Sequence, residues 1–248
     1  IDFPNSLGLL YSAFTSYCGF KVNSGEYKLM GLAPYGEPIY AEKIKSKIIN
    51  IKEDGSYALN MKYFSYLDSN IMVNEKFHNI FGVLPRESES KLTKEYMDIA
   101  ASIQAVTEEI ILKLAKKLSS VTGQKNLVMA GGVALNCSAN GKLLLRKYFD
   151  NIWIQPASGD AGGSLGAALA YHYNKTNSNR EVNGVDDSQY GTYLGPDFTN
   201  NEIEEYLISE NIAFKKYDED GCLKKAAELM ADECIVGYFS GRMEYGPR

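Results

Sequence analysis

The sequence is poor in the residues that most metal and nucleophile chemistry uses. It holds 2 histidines and 4 cysteines in 248 residues. The cysteines are Cys18, Cys137, Cys222 and Cys234, and no two form a C-x-x-C pair, which excludes the usual zinc-finger and thioredoxin-type spacings. The number is also low for a disulfide-stapled secreted domain, so reduced thiols in a cytoplasm are the simpler reading. His78 has no partner nearby in sequence, and His172 sits near the end of a helical pattern; both read as structural. No apolar run approaches the roughly 20 residues of a membrane span, no secretory signal is visible, and no G-x-S-x-G nucleophile elbow occurs. Positive charge is short as well. Lys+Arg 26 against Asp+Glu 31 gives a net charge of -5, which argues against a general nucleic-acid binder. A small phosphorylated ligand stays compatible with that balance, because backbone dipoles hold it without net positive charge.

What is present is a core-forming composition, 45% hydrophobic and 23% charged, enough for one large or two modest domains. The chain opens on Ile1 and stops at "EYGPR", and reads as a segment of a longer protein. Ser6 to Tyr17 has a helical pattern with Asn5 or Ser6 as cap. "GEYKLMGLAPYGEP" is a shaped loop with at most a turn or two of helix, and Ile39 to Ile49 looks helical. Two strand-like runs flank Asp54-Gly55, a hairpin signal. From Thr93 to Ser120, Tyr96, Ala100, Ile103, Thr107, Ile110, Leu114 and Leu118 recur at helical spacing, as in a core helix. Then come a strand (Leu127 to Ala130), a glycine turn, a helix (Ser138 to Tyr148), a strand (Ile152 to Gln155), a turn, and a helix (Gly163 to Tyr173). That alternation predicts an α/β layer with parallel strands. Asn174 to Gln189 is the best linker candidate. Beyond it, Thr199 to Ser209 and Gly221 to Asp232 read as helices, and "CIVGYF" as a strand.

The two strand–glycine–helix junctions carry the chemistry. At Gly131-Gly132 bare backbone N–H groups can meet a ligand closely, and the helix that follows adds a partial positive field. The plainer reading is a tight connection and nothing more. At "PASGDAGGSLGAAL" the pattern recurs with Asp160 inside the turn. A carboxylate beside a phosphate site suits a divalent metal, and it also suits a helix N-cap. Lys28 in its rigid loop can meet a phosphate as a point charge or be an ordinary solvated lysine. In "GRMEYGPR", Arg242 and Arg248 suit bidentate capture of a phosphate or carboxylate, or form a polar surface turn. Two better-known nucleotide motifs fail. The P-loop pattern finds Asn136 at its first glycine and Leu143 at its hydroxyl position, and the dinucleotide fingerprint finds Ala161 at its first glycine.

Together "GEYKLMGLAPYG", "MAGGVALNCSANGKL", "PASGDAGGSLGAAL" and "GRMEYGPR", in that order, resemble the O-carbamoyltransferases of nodulation-factor and antibiotic biosynthesis. The resemblance covers most of the chain. It implies an α/β protein in which a ribonuclease-H-like lobe of the actin and hexokinase type (residues 1–185) is followed by the start of a second α/β domain like the carbamoyl-adenylate-forming domain (residues 186–248). Family members take carbamoyl phosphate and ATP, form carbamoyl-adenylate, and pass the carbamoyl group to a hydroxyl of a sugar or natural product.

By match of motif, Gly131, Gly132, Val133 and Asn136 fall where the family contacts adenosine and phosphates. Gly159, Gly162 and Gly163 shape the same phosphate loop, and Asp160 falls on the metal-binding aspartate. Lys28, with Asp160, stands for the catalytic wall, and Arg242 and Arg248 for carbamoyl phosphate binding. The resemblance implies iron, zinc or manganese as the metal, with an H-x-x-x-H pair upstream of Ile1 as its other ligands. It implies neither a nucleic acid nor a membrane as partner, allows for a homodimer, and fits a cytoplasmic protein. The segment alone is expected to be inactive. The competing reading is a non-catalytic ATP-binding module of the actin-like superfamily. Half of a sugar kinase is a third, without a catalytic-base motif to support it.

Overall fold

The structure, a computed structural model, describes residues 1–180, 184 and 187–246. The chain divides into two compact units, Ile1–Ala168 and Leu169–Arg248.

In the first unit, helix α1 (Leu7–Tyr17) starts where the Ser6 hydroxyl accepts the Leu9 N–H at 3.1 Å, relieving one of the orphan donors of the first turn. Leu10, Ala13, Phe14 and Tyr17 are fully buried. Helix α2 (Glu26–Leu32) makes two turns and tightens into a 3₁₀ segment, Ala33–Tyr35, so the glycine- and proline-rich loop contains the short helix its sequence allows. Helix α3 (Ala41–Lys43) continues as a π-helical turn, Ile44–Ile48, into strand β1 (Ile49–Ile51). The predicted hairpin forms: β1 pairs antiparallel with β2 (Tyr57–Leu59), Ile49 opposite Leu59. At its tip the Ser56 N–H and hydroxyl both donate to Asp54 Oδ1, at 2.9 and 2.6 Å, an Asx turn. Helix α4 (Glu75–Phe81), which the sequence reading passed over, is capped by Asn74 and ends at the left-handed Gly82.

Helix α5 (Lys94–Thr122), with 29 residues, is the spine of this unit. Ile99, Ile103 and Ile110 are fully buried, and α5 packs against α1 and α2. Phe14, Phe77 and Phe81 close one end as an edge-to-face cluster, Phe14 and Phe77 having ring centroids 5.1 Å apart. Each such ring contributes about 1.5–3 kcal/mol by leaving water. The start of α5 also pins the loop after α2. Asp98 Oδ1 accepts the Glu37 N–H at 2.7 Å, and Ser102 Oγ accepts the Tyr40 N–H at 3.0 Å.

Strands β3 (Asn126–Met129) and β4 (Asn151–Ile154) pair in parallel, Leu127 opposite Ile152 and Val128 opposite Trp153, with helix α6 (Cys137–Arg146) as crossover and helix α7 (Ala161–Thr176) following. Leu127 faces the core, whereas Val128 is 67% exposed and Trp153 48%. The α/β alternation is as read from the sequence. The described residues, however, form two sheets of two strands each, not the broader layer. Helix α7 runs on through Thr176, so the start of the linker candidate is helical. The linker's residues 181–183 and 185–186 lie outside the described residues.

In the second unit, helix α8 (Asn200–Ser209) carries a full capping box between Thr199 and Glu202, and helix α9 (Glu219–Ala231) is capped by Asp218. The expected strand "CIVGYF" does not form. Cys234–Phe239 has no ladder partner among the described residues, and Ile235 is fully exposed. An apolar run cannot be a strand without a neighbour to take its backbone bonds. The segment after it does find one: Met243 and Tyr245 exchange backbone bonds with Thr192, Gly195 and Pro196. Among the described residues, no helix is long and apolar enough to cross a membrane.

Candidate functional site

Both glycine turns lie beyond the carboxyl ends of the parallel strands β3 and β4, the place where open α/β sheets take ligands. After β3, Gly131 adopts φ +96°, ψ 157°, a region that only glycine enters without strain. Its N–H donates to the Ser158 carbonyl at 2.7 Å, so the first turn is tied directly to the second. A 3₁₀ segment, Gly132–Leu135, leads into α6. In the second turn Gly162 donates to the Gly159 carbonyl at 3.1 Å and Gly163 to that of Asp160 at 3.0 Å. A Cβ on Gly162 would stand 2.1 Å from the Ala157 carbonyl oxygen, so no side chain fits there. Over Gly131, Gly132, Gly159 and Gly163 a Cβ would meet nothing within 4 Å. The result is one open shelf of bare backbone at the starts of α6 and α7.

The predicted residues fall on this shelf in different ways. Gly131, Gly132, Gly159, Asp160 and Gly163 are brought together in the two joined turns, with the Asp160 carboxylate exposed. Gly162 acts by close packing. Val133 turns inward beside Gly8 of α1. Lys28 is exposed on α2, whose Met30 sulfur lies 3.7 Å from the Cys137 sulfur at the start of α6, so α2 flanks the first turn. Ser158 is buried, and its hydroxyl has no hydrogen-bond partner.

The Asn136 side chain is engaged within the protein. It is buried, and its Oδ1 accepts the Ala139 N–H at 3.0 Å, capping α6. The rest of its amide pairs with Gln104 of α5: Gln104 Nε2 donates to Asn136 Oδ1 at 2.9 Å, and Asn136 Nδ2 to Gln104 Oε1 at 3.0 Å. Gln104 Oε1 also accepts from the Tyr11 hydroxyl at 2.8 Å, and Gln104 Nε2 donates to Glu108 Oε1 at 2.9 Å. Glu108 Oε1 accepts from Ser138 Oγ at 2.8 Å as well, and Lys142 pairs with Glu108 Oε2. Burial pushes the Tyr11 phenol well above its usual pKa, with the neighbouring Asn136 amide opposing the shift, so it is a donor at neutral pH. Sequence reasoning missed this network. Its one signal was the polar pair Gln104 and Glu108, four residues apart beside the apolar stripe of α5.

In the second unit, Arg242 donates through Nη1 to the Gly195 carbonyl at 3.0 Å and pairs through Nη2 with Asp197 at 2.9 Å. Arg248 lies outside the described residues. No cluster of three His, Cys, Asp or Glu side chains able to hold a metal exists among the described residues. Asp160 by itself supplies one carboxylate, too few donors for a resident metal, and the backbone of the shelf stands open.

Residues 1–169 match the family model described as Carbamoyltransferase N-terminus. An uncharacterized protein of Synechocystis sp. is 53% identical over 100% of this chain and 40% of its own length. Nodulation protein NolO of Bradyrhizobium diazoefficiens is 34% identical over 100% of this chain and 43% of its own length. Nodulation protein NolNO of Sinorhizobium fredii is 33% identical over 98% of this chain and 34% of its own length. The chain thus spans about two fifths or less of the length of these relatives.

Proposed function

This chain belongs to the carbamoyltransferase family, and from that premise we propose that it is part of an ATP-dependent O-carbamoyltransferase that draws on carbamoyl phosphate and modifies a hydroxyl of a sugar or natural product. The observation that supports the nucleotide part most is the Gly131–Ser158 bond. It joins two glycine turns into one open shelf at the carboxyl ends of parallel strands. Backbone N–H groups and two helix starts there offer fixed dipoles to phosphoryl oxygens without reorganisation. In this reading the phosphates of ATP lie over Gly131, Gly132, Gly159 and Gly163, whose missing side chains let them approach; Gly131 and Gly163 spend their own N–H groups on the Ser158 and Asp160 carbonyls, and Gly162, Val133 and Asn136 hold the shelf in shape. Lys28 adds a point charge from α2.

Water releases phosphate from the carbamoyl donor. The resulting carbamate oxygen attacks the α-phosphorus of ATP, and pyrophosphate leaves. The acceptor oxygen then attacks the carbamoyl carbon, losing its proton as AMP departs. The chain's own residues contribute by binding and orienting nucleotide, and the Asp160 carboxylate, which would repel phosphoryl oxygens on its own, would be one ligand of the metal. We assign Arg242 and Arg248 to the carbamoyl donor. Two contacts of the five-donor Arg242 guanidinium hold it in place, and the remaining N–H groups can address an anion. A lobe over residues 1–185 of ribonuclease-H-like type, a second domain from residue 186, and a metal completed by groups beyond these residues belong to the same proposal.

The test is an assay of the full-length protein with carbamoyl phosphate, ATP and a panel of sugars, following AMP. AMP release that depends on both carbamoyl phosphate and an acceptor is the expected result. AMP release independent of carbamoyl phosphate would instead favour an ATP-binding module with another task.

A further inference from the structure

We infer that Gln104 is the positioning residue of the first glycine turn, setting nucleotide affinity from the middle of α5 without touching the ligand. This rests on the nucleotide reading above and adds a residue to it. The Gln104 side chain is 5% exposed and uses its whole hydrogen-bonding capacity. Its two N–H groups go to Asn136 Oδ1 and Glu108 Oε1, and its oxygen takes the Tyr11 hydroxyl and Asn136 Nδ2. An amide with both donors and both acceptor directions filled has one orientation.

That orientation fixes the next one. Asn136 Oδ1 can cap Ala139 only while its amide faces Gln104. The Asn136 N–H bonds to the Val133 carbonyl, and the Ala134 N–H to that of Gly131. Between Asn136 and the shelf the chain is thus held at two points, the Val133 carbonyl and the Ala134 N–H. The whole turn is referenced to α5, the longest helix of the unit. An apolar residue of like volume would fill the same space but leave the Tyr11, Asn136 and Glu108 groups that face it without a partner, so what the amide supplies beyond volume is the orientation of its neighbours.

The experiment compares Gln104→Met and Tyr11→Phe with wild type in the full-length protein. Gln104→Met keeps the volume and removes the amide. Tyr11→Phe removes one bond and guards against a misfolded first variant. The measurements are KM for ATP, KM for carbamoyl phosphate, kcat, the melting temperature, and hydrogen exchange over residues 131–139. The expected result is a KM for ATP raised about tenfold in Gln104→Met and about threefold in Tyr11→Phe. KM for carbamoyl phosphate should be unchanged, with faster exchange confined to residues 131–139. A uniform loss of kcat that follows the melting temperature, with KM for ATP unchanged in both variants, would overturn the inference while leaving the nucleotide reading intact. Failure of wild type to saturate with ATP would overturn the reading, and the inference with it.

Discussion

The two glycine turns follow one recipe in sequence, yet the protein treats them differently. The turn after β3 is anchored. Asn136 at its exit is locked to Gln104, and through it to Tyr11 and Glu108, all inside the core. The turn after β4 leads into α7, which buries none of its residues. The Ser158 hydroxyl beneath it lacks a partner, and Asp160 on it is exposed. The Gly131–Ser158 bond is the link between them. A site assembled this way has one half referenced to the core and one half that carries an exposed carboxylate and a helix with no buried residue.

The sharpest way to break this comparison is at Asp160. If the second turn serves the ligand and not the fold, Asp160→Asn should lower AMP release by about ten- to a hundredfold, because a neutral amide replaces the carboxylate proposed to help hold the metal. The melting temperature should stay within a degree or so of wild type, because an exposed carboxylate contributes little to folding. Loss of stability comparable to the loss of rate would make Asp160 a cap and return the second turn to the fold.

The glycines give a second test, since each turn needs one for the opposite reason. Gly162→Ala should cost roughly 3 kcal/mol, because the new Cβ meets a backbone carbonyl at 2.1 Å that has little room to move. Gly131→Ala has open space around it and should cost about 2 kcal/mol, because φ +96°, ψ 157° is strained for any side chain. Chemical denaturation measures both. Equal and negligible effects would mean that the two turns adapt freely and that the shelf is not preformed.

Much of this was legible in sequence, for local reasons. Ser6 before an apolar run, Asp54-Gly55 between two strand-like runs, and glycines after short strands each specify backbone geometry within a few residues. The first unit's elements follow those signals closely. The Asn136–Gln104 pair was not legible, because it joins positions 32 residues apart and depends on how α6 lies against α5. Asn136 was read as a ligand contact from its motif alone, whereas its side chain is turned into the core. "CIVGYF" failed for a related reason: an apolar run states only that a segment prefers burial, and a strand also needs a neighbour's backbone. Arg242 looked free in "GRMEYGPR" because Asp197, its partner, lies 45 residues earlier.

The smallest expected effect concerns the anchored side at its other end, where α5 holds the loop that follows α2. Burial of Asp98 opposes its ionisation, but the Lys94 ammonium and the Glu37 N–H outweigh it and hold the carboxyl below the usual aspartate range. A carboxyl depressed in the folded state binds fewer protons there than in the unfolded chain. Its stabilisation is therefore present above the unfolded value of about 4 and is lost as pH falls through the lower folded value. Asp98→Asn should destabilise by about 1 kcal/mol at pH 7, the partly exposed Lys94 limiting the gain from charge. That difference should shrink steadily below about pH 4. Melting curves of wild type and variant between pH 7 and pH 2 measure it. If the two curves stay parallel, Asp98 acts only as an uncharged acceptor for Glu37, and the loop that follows α2 is held by packing and by Ser102 without help from charge.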